Sequence, residues 1–256
     1  MRWHLLLSPP HGGAENMALD EALMARARAT GEAVLRVYGW ATPTLSFGRH
    51  QTARGRYDRG RIEALGLAVV RRPTGGRSIL HHREVTYSVT APVAGLGSLR
   101  ESYVRINRLL LHGLATLGVR VLVSAGDGRS PRPTEAPCFE VPVAGELMID
   151  GRKLAGSAQW REDGALLQHG SILVEDDQRA LAGLLVSSAP APLAPATLRE
   201  ALGRPPAVNE VAEALFASAR LLEDPDADTL SIDAMLAAAM RRALVHYRND
   251  DWTWRR

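Results

Sequence analysis

The sequence predicts an α+β fold in which mixed and antiparallel sheets are flanked by helices. Apolar residues recur at helical spacing in four segments, at residues 15–29, 101–117, 208–222 and 232–247. Between the helices lie short apolar runs bounded by Gly and Pro, which are typical of strands. Because several strands follow one another before the next helix begins, the pattern favours α+β over a doubly wound sheet.

The length and composition are those of one large globular unit. A chain of 256 residues with 46% hydrophobic residues can bury a sizeable core. The composition becomes rich in Ala, Pro and Ser over residues 187–206, as in a linker or wrapping segment. We therefore predict a main domain over residues 1–206 and a helical extension over residues 207–256 that packs on the same domain.

In the first half, the helix at 15–29 places four apolar side chains on one side: Met17, Leu19, Leu23 and Met24. Asn16 and Asp20 lie near its start, where amide and carboxylate groups cap helices well. The elements predicted next are strands at 33–38 and 44–47, a short helix at 59–65, strands at 67–70, 78–80 and 85–89, and the helix at 101–117.

The second half is predicted to contain an antiparallel meander. A strand at 119–123 precedes a polar segment at 126–137, rich in Pro and Gly, which we expect to be a mobile loop. The strands that follow are at 146–149, 153–160 and 165–174, joined by turn signals at 150–151 and 162–164.

Charge and composition exclude several classes of protein. A net charge of +3 without Lys/Arg runs or interleaved aromatics does not predict a nucleic-acid groove. The apolar stretch at residues 5–7 is broken at once by Ser8 and Pro9, which indicates neither a signal peptide nor a membrane span. A single cysteine cannot form an internal disulfide, so we expect a cytoplasmic protein. The surplus of arginine indicates an acidic partner or an anionic substrate, or a general arginine bias of the genome.

Two residue types occur only once each. Lys153 is the only lysine among 31 basic residues, and Cys138 is the only cysteine. Arginine stays charged at any ordinary pH, whereas burial can tune a lysine to give and take protons. Cys138 is accordingly a candidate nucleophile. The alternatives are a small buried apolar cysteine and a leftover surface lysine.

Three motifs carry polar chemistry. Residues 71–78 pair two glycines with flanking arginines, which suits a backbone folded around a carbonyl or phosphate, or an ordinary tight hairpin. In residues 150–159, strand alternation places Lys153, Ala155 and Ser157 on one face. The other face is nearly bare and suits an aliphatic ligand or a close sheet contact. In residues 168–173, His169 lies in an apolar run, either as a catalyst or as a hydrogen-bonded structural residue.

Together these segments resemble the lipoate branch of the biotin and lipoate protein-ligase superfamily, which includes the lipoate-protein ligase A family. The resemblance covers residues 16–185 and rests on residues 16–23, on residues 71–77 followed by Leu80-His81-His82, and on residues 153–159. Residues 137–140 and 168–172 are most similar to LipM-type octanoyltransferases. His82 departs from the pattern, because many relatives have an aspartate there.

The resemblance implies the catalytic-domain fold of these ligases over residues 1–206 and an acyltransferase activity. It implies octanoyl transfer from octanoyl-acyl carrier protein to the lysine of a lipoyl domain, such as glycine-cleavage H protein, without a cofactor. Cys138 would carry the acyl group and Lys153 would assist. The predicted substrate-binding residues are Arg71, Arg72, Gly75, Gly76, Arg77, Leu80, His82, Gly156, Ser157, Ala158, His169 and Gly170.

Two other functions stay open at this point. An ATP-dependent lipoate-protein ligase would use ATP and Mg, with Lys153 contacting an acyl-adenylate. Many such ligases use an accessory domain, for which the helices after residue 206 look too short, although some ligases lack it in the same chain. A non-catalytic acyl-binding or partner-recognition module would tolerate the loss of both Cys138 and Lys153.

Overall fold

The computed structural model describes residues 1–124, 145–187 and 193–255. The strands are β1 (Trp3–Leu7), β2 (Ala33–Tyr38), β3 (Thr44–Phe47), β4 (Ala68–Arg71), β5 (Ile79–His81), β6 (Glu84–Pro92), β7 (Leu122–Val123), β8 (Leu147–Ile149), β9 (Arg152–Glu162), β10 (Ala165–Leu173) and β11 (Asp228–Thr229). The helices are α1 (Gly13–Thr30), α2 (Arg59–Ala64), α3 (Val93–Leu96), α4 (Leu99–Thr116), α5 (Leu198–Leu202), α6 (Val208–Leu222), α7 (Ala234–Tyr247) and α8 (Asp250–Thr253), with a 3-10 helix at Gln178–Leu184.

The strands form a large sheet and a small one. The large sheet has eight strands in the order β11-β1-β2-β6-β10-β9-β8-β7 and mixes parallel with antiparallel pairs. The small sheet has the order β4-β3-β5. The predicted α+β class is confirmed, because hairpin-linked strands and helices are interspersed along the chain.

Each face of the large sheet is covered by a pair of helices. On one face, α4 and α6 bury the main core, to which α6 contributes Val211, Leu215 and Ala219. On the other face, α1 lies against β6 and β10, and α7 packs on α1. The helices after residue 206 therefore pack against the elements before it, while the division at residue 206 stays a prediction.

Two local expectations were wrong. β1 was not predicted, although its Trp3 and Leu5 are fully buried and it pairs in parallel with β2. A parallel partner distant in sequence leaves no hairpin signal. Asn16 and Asp20 do not cap α1, which starts after Gly12 without a side-chain cap. Both are buried, because their oxygens bind a guanidinium from the sheet.

Cys138 and the loop predicted at 126–137 lie outside the described residues. Among the helices that the structure does describe, not one combines the length and apolar character needed to cross a bilayer.

Candidate active site

A cavity lies on the α1 side of the large sheet, below the turn that links β4 to β5. Its volume is about 50 Å³, well below the roughly 300 Å³ at which small-molecule pockets begin, so a ligand would have to widen it. Its lining is apolar or small at eight positions, namely Met17, Tyr38, Trp40, Gly76, Ile79, Gly156, Ala158 and Gly170. The polar lining residues are Arg72, His81, Thr86, Ser157, His169 and Ser171. An apolar cavity with a few fixed polar groups suits an aliphatic ligand that has a polar head.

Lys153 lies against the cavity wall. Its side chain is buried, and its Nζ is 2.5 Å from Oε1 of Glu146, which is also buried. A Cβ on Gly156 would lie 2.7 Å from Cε and 2.8 Å from Nζ of Lys153. Gly156 lines the cavity, whereas Lys153 does not, so the ammonium group lies beside the wall at Gly156 rather than on the cavity surface. The small residue at 156 therefore has a specific purpose, which is to leave room for the lysine.

The predicted alternation along β9 is interrupted at this point. The pairing of β8 with β9 shifts register between Leu147 and Met148, which oppose Ala155 and Lys153. The extra residue on β9 moves the lysine to the side of Gly156 and leaves Ala155 in the main core. The expectation that Lys153, Ala155 and Ser157 share one face is therefore wrong, because a bulge reverses the alternation between Lys153 and Ala155.

His169 on β10 links the turn to α1. Its Nε2 is 2.7 Å from Oγ1 of Thr74, and its Nδ1 is 3.2 Å from Oδ2 of Asp20. Because the Asp20 carboxylate accepts, the proton of a neutral ring lies on Nδ1, and the Thr74 hydroxyl donates to Nε2. Burial lowers the pKa of His169, and the positive charge of Arg72 acts in the same direction, while Asp20 opposes both. The ring is therefore neutral at pH 7 and orients the turn.

Asp20 is one half of a fully buried ion pair. Oδ1 of Asp20 accepts from Nη1 of Arg36 at 2.7 Å and from Oγ of Ser88 at 2.8 Å. Arg36 also donates to the side-chain oxygens of Asn16 and Ser8. Burial alone would raise the pKa of Asp20, but Arg36 and the hydrogen bonds from His169 and Ser88 outweigh it and lower the pKa. The carboxylate thus stays charged and holds the ring of His169.

A second polar network fixes the wall formed by β5 and β6. Oε1 of Glu84 lies 2.8 Å from Nδ1 of His81 and accepts from the hydroxyls of Thr86 and Ser171. The ring of His81 stacks on Trp40 with centroids 3.9 Å apart, and the indole of Trp40 donates to Oγ1 of Thr86 at 2.8 Å. These contacts hold the Trp40 indole in one orientation against the cavity.

Close strand packing shapes the floor of the cavity. A Cβ on Gly170 would lie 2.6 Å from the carbonyl oxygen of Gly156 and 2.7 Å from Oγ of Ser157. Beneath it, the Tyr87 hydroxyl lies 2.6 Å from Oγ of Ser157 and accepts from Nε2 of Gln168. Burial raises the pKa of Tyr87 to about 12, so the phenol keeps its proton.

Arg72 holds the glycine turn in shape. Its Nη2 donates to the carbonyls of Gly75 and Arg77 at 2.9 and 2.6 Å, and its Nη1 donates to Ser46. Gly76 has a φ of +92°, which favours glycine, and its carbonyl oxygen lies where a Cβ on Gly48 would clash at 1.9 Å. The turn is thus packed tightly against the end of β3.

The structure places the predicted substrate-binding residues in three groups, of which two lie at the cavity or at the turn above it. Those that line the cavity are Arg72, Gly76, Gly156, Ser157, Ala158, His169 and Gly170. Gly75 and Arg77 do not line it, but their carbonyls bind Arg72 and shape the turn. What each residue does to a substrate stays a prediction.

The other three predicted residues do not line the cavity, and a contact between them and a substrate stays a prediction. Arg71 is the last residue of β4, and its guanidinium binds the carbonyls of Gly48 and Trp252. Leu80 faces the small-sheet core, because alternate side chains of β5 point to opposite sides. The exposed His82 side chain lies 3.6 Å from Asp177.

Several residues of the site were not predicted as such from the sequence. Glu146, Trp40 and Glu84 carry no motif of their own, and only the fold brings them to the wall. The sequence could have predicted the buried ion pair of Asp20, since a carboxylate on the apolar side of an amphipathic helix needs a buried partner. Among the described residues, no group of three or more His, Cys, Asp or Glu side chains could hold a metal ion.

The architecture is that of lipoate-protein ligases. A crystal structure of lipoate-protein ligase A bound with ATP has a TM-score of 0.81 and 21% identity, and the match covers 99% of both chains. The bi-partite lipoate protein ligase from Thermoplasma acidophilum has a TM-score of 0.79 and 20% identity, over 99% of this chain and 96% of that one. At these identities the likeness shows the fold alone.

Sequence comparisons narrow the class to a family. The model of the lipoyl protein ligase A/B catalytic domain matches residues 13–220, and the chain belongs to this family. A relative named Octanoyltransferase LipM, from Symbiobacterium thermophilum, is 45% identical over 231 aligned positions, and the alignment covers 84% of each chain. A relative with the same name from Exiguobacterium sp. is 35% identical over 277 aligned positions, and the alignment covers 99% of this chain and 98% of that one.

Proposed function

We propose that this protein is an octanoyltransferase that moves an octanoyl group to the lysine of a lipoyl domain, through a thioester on Cys138. The observation that carries the proposal is the buried lysine at the wall of an apolar cavity, in a chain 45% identical to an octanoyltransferase. The donor would be octanoyl-acyl carrier protein, and the acceptor a lipoyl-domain protein such as glycine-cleavage H protein.

The first step is an exchange of thioesters. The Cys138 thiolate attacks the octanoyl carbonyl and forms a new C–S bond, while the C–S bond to the donor arm breaks. The departing thiolate would take a proton from the Lys153 ammonium group and leave as the free thiol, so that Lys153 is neutral for the second step. One thioester replaces another, so no nucleotide is needed to activate the acid.

The second step makes the stable amide. The acceptor lysine, as a neutral amine, attacks the carbonyl of the Cys138 thioester, and the C–S bond breaks as the C–N bond forms. The nitrogen loses a proton, and the Cys138 sulfur leaves as a thiolate. The reaction then returns the protein to its starting state.

Lys153 is the residue that we assign to proton and charge handling. Its ammonium group at the cavity wall would favour the thiolate and the developing oxyanion. Its neutral form would take the proton from the attacking amine. Glu146, at 2.5 Å, fixes the position of the nitrogen. An arginine at this position could supply the charge but not the proton transfer.

The apolar part of the cavity would hold the acyl chain. Met17, Tyr38, Trp40 and Ile79 provide an apolar lining away from the wall that Lys153 contacts. Burying an aliphatic chain against such a lining stabilises the complex by about 0.8 kcal/mol per methylene. Binding of the chain would therefore position the carbonyl next to Lys153.

Transfer with and without nucleotide tests this proposal. The purified protein is mixed with an apo lipoyl domain and either octanoyl-acyl carrier protein alone, or octanoate with ATP and Mg. The mass of the lipoyl domain is then measured by mass spectrometry. We expect modification from the carrier-protein donor without nucleotide, and its loss in Cys138→Ser. Modification that requires ATP and survives Cys138→Ser would make the protein a ligase. Normal transfer by both Cys138→Ser and Lys153→Ala would exclude a catalytic role for these two residues.

A further inference from the structure

Arg49 lies beside the turn that covers the cavity. It follows Gly48 at the end of β3, and its backbone N–H donates to the carbonyl of Thr74 at 2.8 Å. Its side chain is partly exposed and reaches the carbonyl of Pro73 at 3.5 Å. The guanidinium therefore lies next to residues 73–76, at the edge of the cavity rather than inside it.

Two tryptophans hold this guanidinium in place. The Cζ atom of Arg49 is 5.0 Å from the ring centroid of Trp160 and 6.0 Å from that of Trp252. Arg255 stacks on the Trp252 ring at 3.8 Å and donates to the carbonyl of Arg49. Among residues 1–124, 145–187 and 193–255, no carboxylate lies within ion-pair distance of the Arg49 guanidinium. The structure thus presents a positioned cation whose charge no described acidic residue balances.

The position of Trp160 relates this cation to the proposed reaction centre. Gly156, Ala158 and Trp160 alternate along β9 and face the same side of the sheet. Lys153 lies against Gly156, and Trp160 is four residues further along the strand, roughly 13 Å away. A group bound at Arg49 would therefore lie roughly 13 Å from the ammonium group of Lys153.

We propose that Arg49 binds the phosphate of the pantetheine arm that presents the acyl thioester, an inference that rests on the proposed function. The arm contains two amide units, and its covalent reach is that of about four extended residues, roughly 13 Å. With the thioester at Lys153, the phosphodiester at the other end of the arm reaches Arg49. A guanidinium suits this ligand, because its fork of donors matches two phosphate oxygens.

Two small donors test the assignment with the full-length protein. Octanoyl-4′-phosphopantetheine and octanoyl-pantetheine differ only in the phosphate, and neither contains a carrier protein whose carboxylates could bind Arg49. We expect the wild type to use the phosphorylated donor with a kcat/KM about tenfold higher. In Arg49→Gln the two donors should become equal, through loss on the phosphorylated donor alone. Arg49→Lys should keep part of the preference, since it keeps the charge.

The matched control is Arg241→Gln on the exposed side of α7, which should keep the full preference. If Arg49→Gln lowers kcat/KM for both donors by the same factor, or changes neither, Arg49 does not bind the phosphate. A wild type that shows no preference between the donors would also overturn the assignment. A wild type that transfers from neither donor, nor from octanoyl-acyl carrier protein, would instead overturn the proposed function and the subsite with it.

Discussion

Two buried ion pairs lie on either side of the cavity, and they differ in the cation that they use. On the α1 side, Arg36 pairs with Asp20 at 2.7 Å, and both side chains are fully buried. At the β8–β9 side, Lys153 pairs with Glu146 at 2.5 Å, with similar burial. The first pair fixes the position of His169, whereas the second brings an ammonium group to the wall where Gly156 lies.

The choice of cation separates structural from chemical roles. Arg36 makes four hydrogen bonds and lies 3.7 Å from the centroid of the Tyr38 ring, so its planar fork joins α1, β2 and Ser8, the residue after β1. A lysine could not make these bonds. Lys153 is the only lysine of the chain, at the place where the proposed reaction needs a proton to be taken up and given back. We therefore expect Lys153→Arg to lower transfer and Arg36→Lys to lower the free energy of unfolding.

The largest expected effect is that of Lys153→Arg on transfer. The charge is kept, but a guanidinium cannot lose its proton at working pH, so transfer should fall by roughly 10²- to 10⁴-fold. The reciprocal change, Arg36→Lys, should lower the free energy of unfolding while transfer per folded molecule stays within a few-fold. Steady-state kinetics and urea unfolding measure the two properties. Equal transfer by wild type and Lys153→Arg would show that only the charge matters.

The Asp20–Arg36 pair should dominate stability among these sites. Asp20→Asn leaves the buried Arg36 without its counter-charge and should lower the free energy of unfolding by about 3 to 5 kcal/mol. Glu200→Gln is a matched control, because that carboxylate is half-exposed and pairs with the exposed Arg152. It should change the free energy of unfolding by less than about 1 kcal/mol. Similar changes in the two variants would mean that Asp20 is not a structural anchor.

Gly156→Ala tests the place of the lysine without touching its charge. The added methyl group would meet Cε and Nζ of Lys153, which are the far end of a flexible side chain, so the fold should tolerate it. Displacing the ammonium group by about 1 Å should lower transfer by roughly 10²-fold. Gly183→Ala has open space around the new methyl group and serves as the control. Unchanged transfer in Gly156→Ala would place the reacting nitrogen elsewhere.

The smallest expected effect is a change in the pH dependence of stability. The pKa of His169 is lowered in the folded protein, mainly by burial. The contribution of neutral His169 to the free energy of unfolding is then complete above the pKa of the unfolded state, about 6.5. It is lost as the pH falls through the lower pKa of the folded state. His169→Gln removes this titration, so its urea midpoint should vary less between pH 7 and pH 5. The exposed His82→Gln serves as the control and should follow the wild type.

The sequence predicted local elements well, because periodicity and turn signals act over short distances. The helix that became α1 and the hairpin of β9 and β10 were predicted within a few residues. Contacts between distant segments were not predictable in the same way. The parallel pairing of β1, the bulge beside Lys153 and the partner of Asp20 all depend on how separate elements meet. Arg71 and Arg72 show the limit most clearly, since adjacent and chemically identical residues at the end of β4 send their guanidinium groups to different partners.

Whether Cys138 carries the octanoyl group is decided by intact-mass spectrometry of the protein. The protein is mixed with octanoyl-acyl carrier protein, with no nucleotide and no acceptor, and is then weighed and digested. We expect one octanoyl increment on the peptide containing Cys138, removed by hydroxylamine as a thioester would be and absent from Cys138→Ser. An unmodified protein that nevertheless transfers octanoate to a lipoyl domain would contradict this expectation.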